Sequence, residues 1–301
     1  MSEQFADLGE INLCYETFGD PGDPAIVLIM GLGTQMIAWR DEFCGQLADA
    51  GFHVVRFDNR DCGRSTHVDA KAPTIGQLLR RDRKSASYTL EDMAGDAVGL
   101  LDHLGIERAH IVGASMGGMI AQTIAIRHPE RVISLTSIMS NTGARLTGQP
   151  ALVAYPVLLK TAPNDRERFA DHVAKLYATI GSPDFERDDD DIRDLARRSY
   201  DRDYSPAGSG RQLAAIIASP PRAKDLKRVP VPTLVIHGTK DKLVRPSGGR
   251  ATARAIPGAK LLKIEGMGHD MPRGAWPQIV GAIAQTARGA HARTEASASA
   301  A

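Results

Sequence analysis

Cysteine is scarce in this chain of 301 residues: Cys14, Cys44 and Cys62 are odd in number and widely spaced, with no Cys-x-x-Cys pair. That excludes a disulfide scaffold and leaves no zinc-ligand spacing. An excess of either charge is also missing. Lys and Arg number 37 against 36 Asp and Glu, a net charge of +1, which gives no electrostatic reason to expect nucleic acid as a partner. Long hydrophobic runs are absent as well. No segment approaches the roughly 20 apolar residues that span a bilayer. Met1 to Asp20 mixes charge with polar alternation where a secretory leader would place a basic start and an apolar run. The expectation is a cytoplasmic protein with no integral membrane segment.

What the sequence does contain is an alternation of two hydrophobic periods. Ile11 to Phe18 alternates as a strand, Ala25 to Met30 and Phe52 to Asp58 are continuous apolar strands, and Gln35 to Ala50 lies between the last two as a helix. Thr89 followed three residues later by Asp92 reads as a capping box opening a helix to Leu104. Strands at Ala109–Val112, Val132–Ile138, Pro232–His237 and Lys260–Glu265 alternate with further helices. This order predicts an α/β fold, a mostly parallel sheet with helices on both faces. The rhythm breaks between Ser140 and Pro230, where helix-like stretches are separated by prolines and no strand is legible. The domain reading is a core at 1–139 and 231–289, an inserted helical cap at 140–230 and a disordered polar tail at 290–301.

Within RAHIVGASMGGMIAQTIAIRHPE the period switches at one residue, Ser115. A strand that turns into a helix so sharply needs small residues two positions either side, and Gly113 and Gly117 stand there. The hydroxyl then projects above the sheet edge, and the Met116 N–H points into the space before it at a helix start that favours negative charge.

A serine hydroxyl at neutral pH needs a base, and the base needs a third group to hold its ring. His269, in EGMGHDMP after the Lys260 strand, and Asp241, in IHGTKDKLVRP after the strand ending at His237, occupy loops suited to those roles. His237 reads as a packed neighbour of the acid, and Asp270 as the weaker candidate for it. A second oxyanion donor is expected at Leu32 N–H, where Gly31 and Gly33 let the loop after Met30 approach the serine. Arg60, Asp61 and Cys62 read as structural. The acidic run Glu186 to Arg198 reads as a solvated helix start, because neighbouring aspartates diverge around a helix and no metal-ligand spacing is present.

With these residues in place, about residues 8 to 288 resemble the α/β-hydrolase superfamily. The order Ser115, Asp241, His269 is that of the superfamily. AHIVGASMGGMIAQ, FDNRDCGRS, IHGTKDKLVRP and GMGHDMP are similar to the group holding lipase G type esterases and aclacinomycin methylesterases. One departure is visible: the common His-Gly before the oxyanion loop is Met30-Gly31 here. The resemblance implies a serine carboxylic ester hydrolase free of metal and cofactor, acting on a small-molecule ester with an apolar acyl group. Tyr155 and Leu176 are the candidate substrate-binding walls in the cap. The same fold also hosts carbon–carbon bond hydrolases, enol-lactonases, perhydrolases and non-enzymatic ligand receptors.

Overall fold

The computed structural model describes residues 2–154, 156 and 162–298. Eight strands form one sheet in the order β1-β2-β4-β3-β5-β6-β7-β8: β1 (Gln4–Asp7), β2 (Asn12–Phe18), β3 (Ala25–Ile29), β4 (His53–Phe57), β5 (Ala109–Ala114), β6 (Val132–Ile138), β7 (Thr233–Gly238) and β8 (Lys260–Ile264). β2 is antiparallel to β1 and β4, and every pairing from β4 to β8 is parallel. β1 escapes the sequence reading because its short QFAD stretch buries only Ala6.

Two-residue alternation splits the central strands between two cores. Val27, Ile29, Val55, Phe57 and Ile111 face α3 (Leu90–His103) and α4 (Met116–Arg127), which contribute Met93, Leu100, Ile120 and Ile124. Ile26, Leu28, Val54, Val112 and Ile236 face α1 (Asp41–Asp49) and the C-terminal helix, which contribute Phe43, Leu47, Ile279 and Ile283. Burial on both faces is why these strands are continuously apolar. The expected capping box is present: Thr89 Oγ1 accepts from Glu91 N, and Asp92 Oδ2 accepts from Thr89 N at 2.7 Å.

Two boundaries differ from the sequence reading. The expected helix Gln35–Ala50 is a 3-10 turn, Met36–Ala38, followed by α1, because Arg40 between them is extended (φ −53°, ψ 147°). The last helix runs past residue 289, the expected end of the core, from Trp276 to Ala298.

Between β6 and β7 the described residues hold helices and no strand, as the prolines suggested: α5 (Arg166–Ile180), α6 (Asp189–Arg202) and α7 (Pro206–Ala218). The start of the acidic run caps α6, with Asp188 Oδ1 accepting from Asp190 N and Asp191 N. α2 (Ile75–Leu79) precedes α3, and α8 (Ser247–Ala255) and α9 (Trp276–Ala298) complete the chain. Since β3 to β8 run parallel, the loops after β3, β5, β7 and β8 emerge at one sheet edge. β3 pairs with β4 on one side and β5 on the other, so the chain reverses direction across the sheet there. That switch point is where ligands bind in open α/β sheets.

Candidate active site

Ser115 is built on strain. Its φ is +56° and ψ −116°, a conformation that non-glycine residues rarely adopt. The turn is tight enough that a Cβ on Gly113 would lie 2.0 Å from the Gly117 carbonyl oxygen, and one on Gly117 would lie 2.0 Å from that of Ile29. Ser115 N donates to Ile138 O at 2.9 Å, and Ser140 Oγ donates to Ser115 O at 2.7 Å. The elbow is therefore held from β6 as well as by its glycines.

The three residues singled out from sequence meet. His269 Nε2 lies 3.0 Å from Ser115 Oγ, and His269 Nδ1 lies 2.8 Å from Asp241 Oδ2. Asp241 Oδ1 accepts from the Leu243 and Val244 amides at 2.9 and 2.8 Å. Burial of Asp241 alone would raise its pKa, but the charge of His269 and hydrogen bonds from His237 and His269 outweigh it and hold the carboxyl at about 2. His237 donates from Nε2 to Val244 O at 2.7 Å while lying 3.4 Å from Asp241 Oδ2. It is a packed neighbour of the acid. Asp270 accepts from Ser182 Oγ, and burial raises its pKa; it braces the histidine loop from outside.

The loop after β3 reaches the serine as its glycines allow. A Cβ on Gly31 would lie 3.1 Å from Ser115 Cβ. Gly33 has φ +62°, which only glycine adopts without strain. Met116 opens α4, so its amide has no helical partner, and among the described residues the Leu32 amide makes no hydrogen bond. Leu176 is half-buried in α5, and Tyr155 lies outside the described residues.

The loop after β4 is structural, as read. Arg60 grips Asp96 with two 2.6 Å bonds. Asp61 is buried and accepts from Tyr88 Oη at 2.6 Å and from Arg211 Nη2 and Nε at 2.5 and 2.8 Å. Cys62 is a buried thiol whose pKa desolvation pushes well up, the opposite of a nucleophile.

Sequence reasoning missed the inserted residues that hold these loops. Arg202 of α6 pairs with buried Asp58 at 2.9 Å, and Gln35 donates to Ser199 O and Asp203 O at 2.7 and 2.6 Å. Gln212 of α7 accepts from Gly33 N at 2.8 Å, and His269 N donates to Ile180 O, at the end of α5, at 2.8 Å. No local signal distinguishes Arg202 from Arg197 and Arg198 beside it in DLARRSYDRDY.

Residues 24–272 match the alpha/beta hydrolase fold family. The chain belongs to that family. It is 32% identical to rhodomycin D methylesterase of Streptomyces peucetius, across 93% of this chain and 96% of the relative. It is 28% identical to 3-oxoadipate enol-lactonase 2 of Acinetobacter baylyi, across 85% of this chain and 86% of that one. Among solved structures, the enol-lactonase of Burkholderia xenovorans superposes on this hydrolase with a TM-score of 0.74 at 24% identity, covering 94% of this chain and 99% of its own. That likeness concerns the fold.

Proposed function

We propose that this hydrolase cleaves carboxylic esters of small apolar acids through an acyl-enzyme on Ser115. The observation that carries the reading is the unbroken chain from Ser115 Oγ through His269 to Asp241, 3.0 and 2.8 Å, standing on a strained elbow. His269 Nε2 takes the hydroxyl proton as Ser115 Oγ attacks the carbonyl carbon. The oxyanion sits between the Leu32 and Met116 amides at the positive end of α4. His269 returns the proton to the departing alkoxide, and water admitted by the same base releases the acid. Asp241, ionised at any working pH, fixes the Nδ1–H tautomer and stabilises the imidazolium.

Similarity to a methylesterase over nearly the whole chain favours a methyl or other short alkyl ester as substrate. An enol-lactone would pass through the same acyl-enzyme, and the second relative supports including one in the test. Gly31 and Gly33 would shape the floor of the acyl site, with Leu176 and Tyr155 as walls in an inserted cap spanning 140–230. A cytoplasmic location is supported by three cysteines that are all buried and unpaired. No helix among the described residues is long and apolar enough to cross a membrane.

A panel of methyl, ethyl, butyl and p-nitrophenyl esters with acyl chains of two to twelve carbons, plus one enol-lactone, tests the reading. Hydrolysis with a pre-steady-state burst and a mass increase on Ser115 is expected. Specificity constants should climb about two- to fourfold per methylene until the site is full. Absence of turnover on the whole panel, with no labelling by a p-nitrophenyl phosphonate, overturns it.

A further inference from the structure

The oxyanion loop does not rest on the core alone. Gly33, one residue beyond Leu32, gives its amide to Gln212 Oε1 at 2.8 Å, and Gln212 Nε2 donates to Arg60 O at 2.8 Å. Gln212 belongs to α7, in the insertion between β6 and β7, and is wholly buried. One neighbour is a pure donor and the other a pure acceptor, so the amide has a single satisfying orientation. α7 is itself locked in place. Arg211 pairs with buried Asp61, and a Cβ on Gly208 would lie 2.1 Å from Asp61 O. A Cβ on Gly33 would lie 2.5 Å from Ser209 Oγ, so the loop backbone is pressed against the same helix.

We propose that Gln212 is a positioning residue for ester hydrolysis: it bridges the loop after β4 to Gly33 and thereby sets where the Leu32 N–H meets the oxyanion. This rests on the ester-hydrolase reading of Ser115. Gln212 touches neither nucleophile nor base, and its effect passes through two peptide units, Leu32–Gly33 and Arg60–Asp61. A donor displaced by a few tenths of an ångström still binds a neutral carbonyl but serves the tetrahedral oxyanion poorly. The inserted helix thus contributes to rate as well as to the walls of the site.

Two variants test this on the full chain. Gln212→Met keeps the volume and removes both bonds; kcat should fall about ten- to a hundredfold with KM within about threefold, and phosphonylation of Ser115 should slow in parallel. Gln212→Glu reproduces both bonds only when protonated, since the neutral acid accepts with one oxygen and donates with the other. Burial raises the pKa of such a carboxyl, so the ratio of variant to wild-type kcat should rise as pH falls, on one folded protein and with KM steady. That second variant carries the test should the first fail to fold. A ratio independent of pH, or a Gln212→Met enzyme with wild-type kcat beside an active wild type, overturns the positioning role and leaves the ester-hydrolase reading intact. A wild type that neither turns over an ester nor takes up the phosphonate overturns both.

Discussion

Replacing Gly117 by alanine sets two effects of known size against each other. Alanine in a helix is favoured over glycine by about 1 kcal/mol, and Gly117 lies in the first turn of α4. Against that, the added methyl would stand 2.0 Å from the Ile29 carbonyl oxygen and 2.8 Å from that of Met30. Both obstacles are backbone at the end of β3, which pairs on both sides and cannot yield like a side-chain tip. The helix start must therefore withdraw by about 1 Å. Overpacking of this kind costs about 1–3 kcal/mol, so net destabilisation is expected despite the propensity gain. The larger effect falls on rate, because the displaced helix end carries Ser115 and the Met116 amide. A misplacement of about 1 Å costs on the order of a hundredfold. Urea midpoints and kcat on the best ester of the panel measure the two separately. Gly281→Ala in α9 is the control: nothing lies within 4 Å of its Cβ, so it should gain about 0.5–1 kcal/mol and leave kcat alone. A Gly117→Ala enzyme with wild-type kcat would refute the elbow argument.

Ser115→Ala should lower kcat/KM by at least about a thousandfold while leaving the thermal midpoint within a few degrees, by calorimetry and initial rates. Asp241→Asn should lower kcat by about ten-thousandfold, because an amide donor facing His269 Nδ1 favours the wrong tautomer; His237→Phe should cost far less. The Asp241 carboxyl is held at about 2 against its ordinary 3.8. Its contribution of about 2 kcal/mol is therefore present above pH 4 and lost as pH falls through 2. Asp58, Asp96 and Asp270 are raised by burial, so their protonation works in the opposite sense. Urea titrations at pH 5 and pH 2.5 should show a loss in the wild type that Asp241→Asn largely removes.

The core was legible from sequence because each of its elements carries a local signature. Fully buried strands are continuously apolar, the glycines flanking Ser115 are demanded by backbone clashes, and loops after late parallel strands hold Asp241 and His269. The Asp241–His269 pairing followed from chain order and strand position. What escaped notice depends on contacts between distant segments. Gln35 and Ser199 are 164 residues apart, and Gly33 and Gln212 are 179 apart. Nothing within ten residues of Gln212 announces a partner after β3. The acidic run and the inward-turned Arg202, which reaches buried Asp58, belong to one amphipathic helix whose sequence shows its charge and hides its direction.

Those long-range contacts bear on how the insertion can move. A mobile cap would be expected to rest on apolar surface that it can leave without leaving charges unpaired. α6 and α7 instead deliver Arg202 to Asp58 and Arg211 to Asp61, and both carboxylates are fully buried. Swinging either helix away would strand a buried charge, at a cost of about 3–5 kcal/mol for each pair broken. It would also break the bonds by which Gln35 and Gly33, in the loop after β3, are held to Ser199 and Gln212. The end of α5 is no freer, since Ile180 O holds the His269 amide and a Cβ on Gly268 would lie 2.2 Å from Gly181 O. The three helices are therefore held against the sheet edge by their own hydrogen bonds and ion pairs. Leu146, Leu152 and Val153, all exposed after β6, lie on a segment whose ties among the described residues are neutral hydrogen bonds, Gly148 N to Ser247 Oγ at 3.0 Å and Ala151 N to Lys242 O at 2.8 Å, so displacing it strands no buried charge.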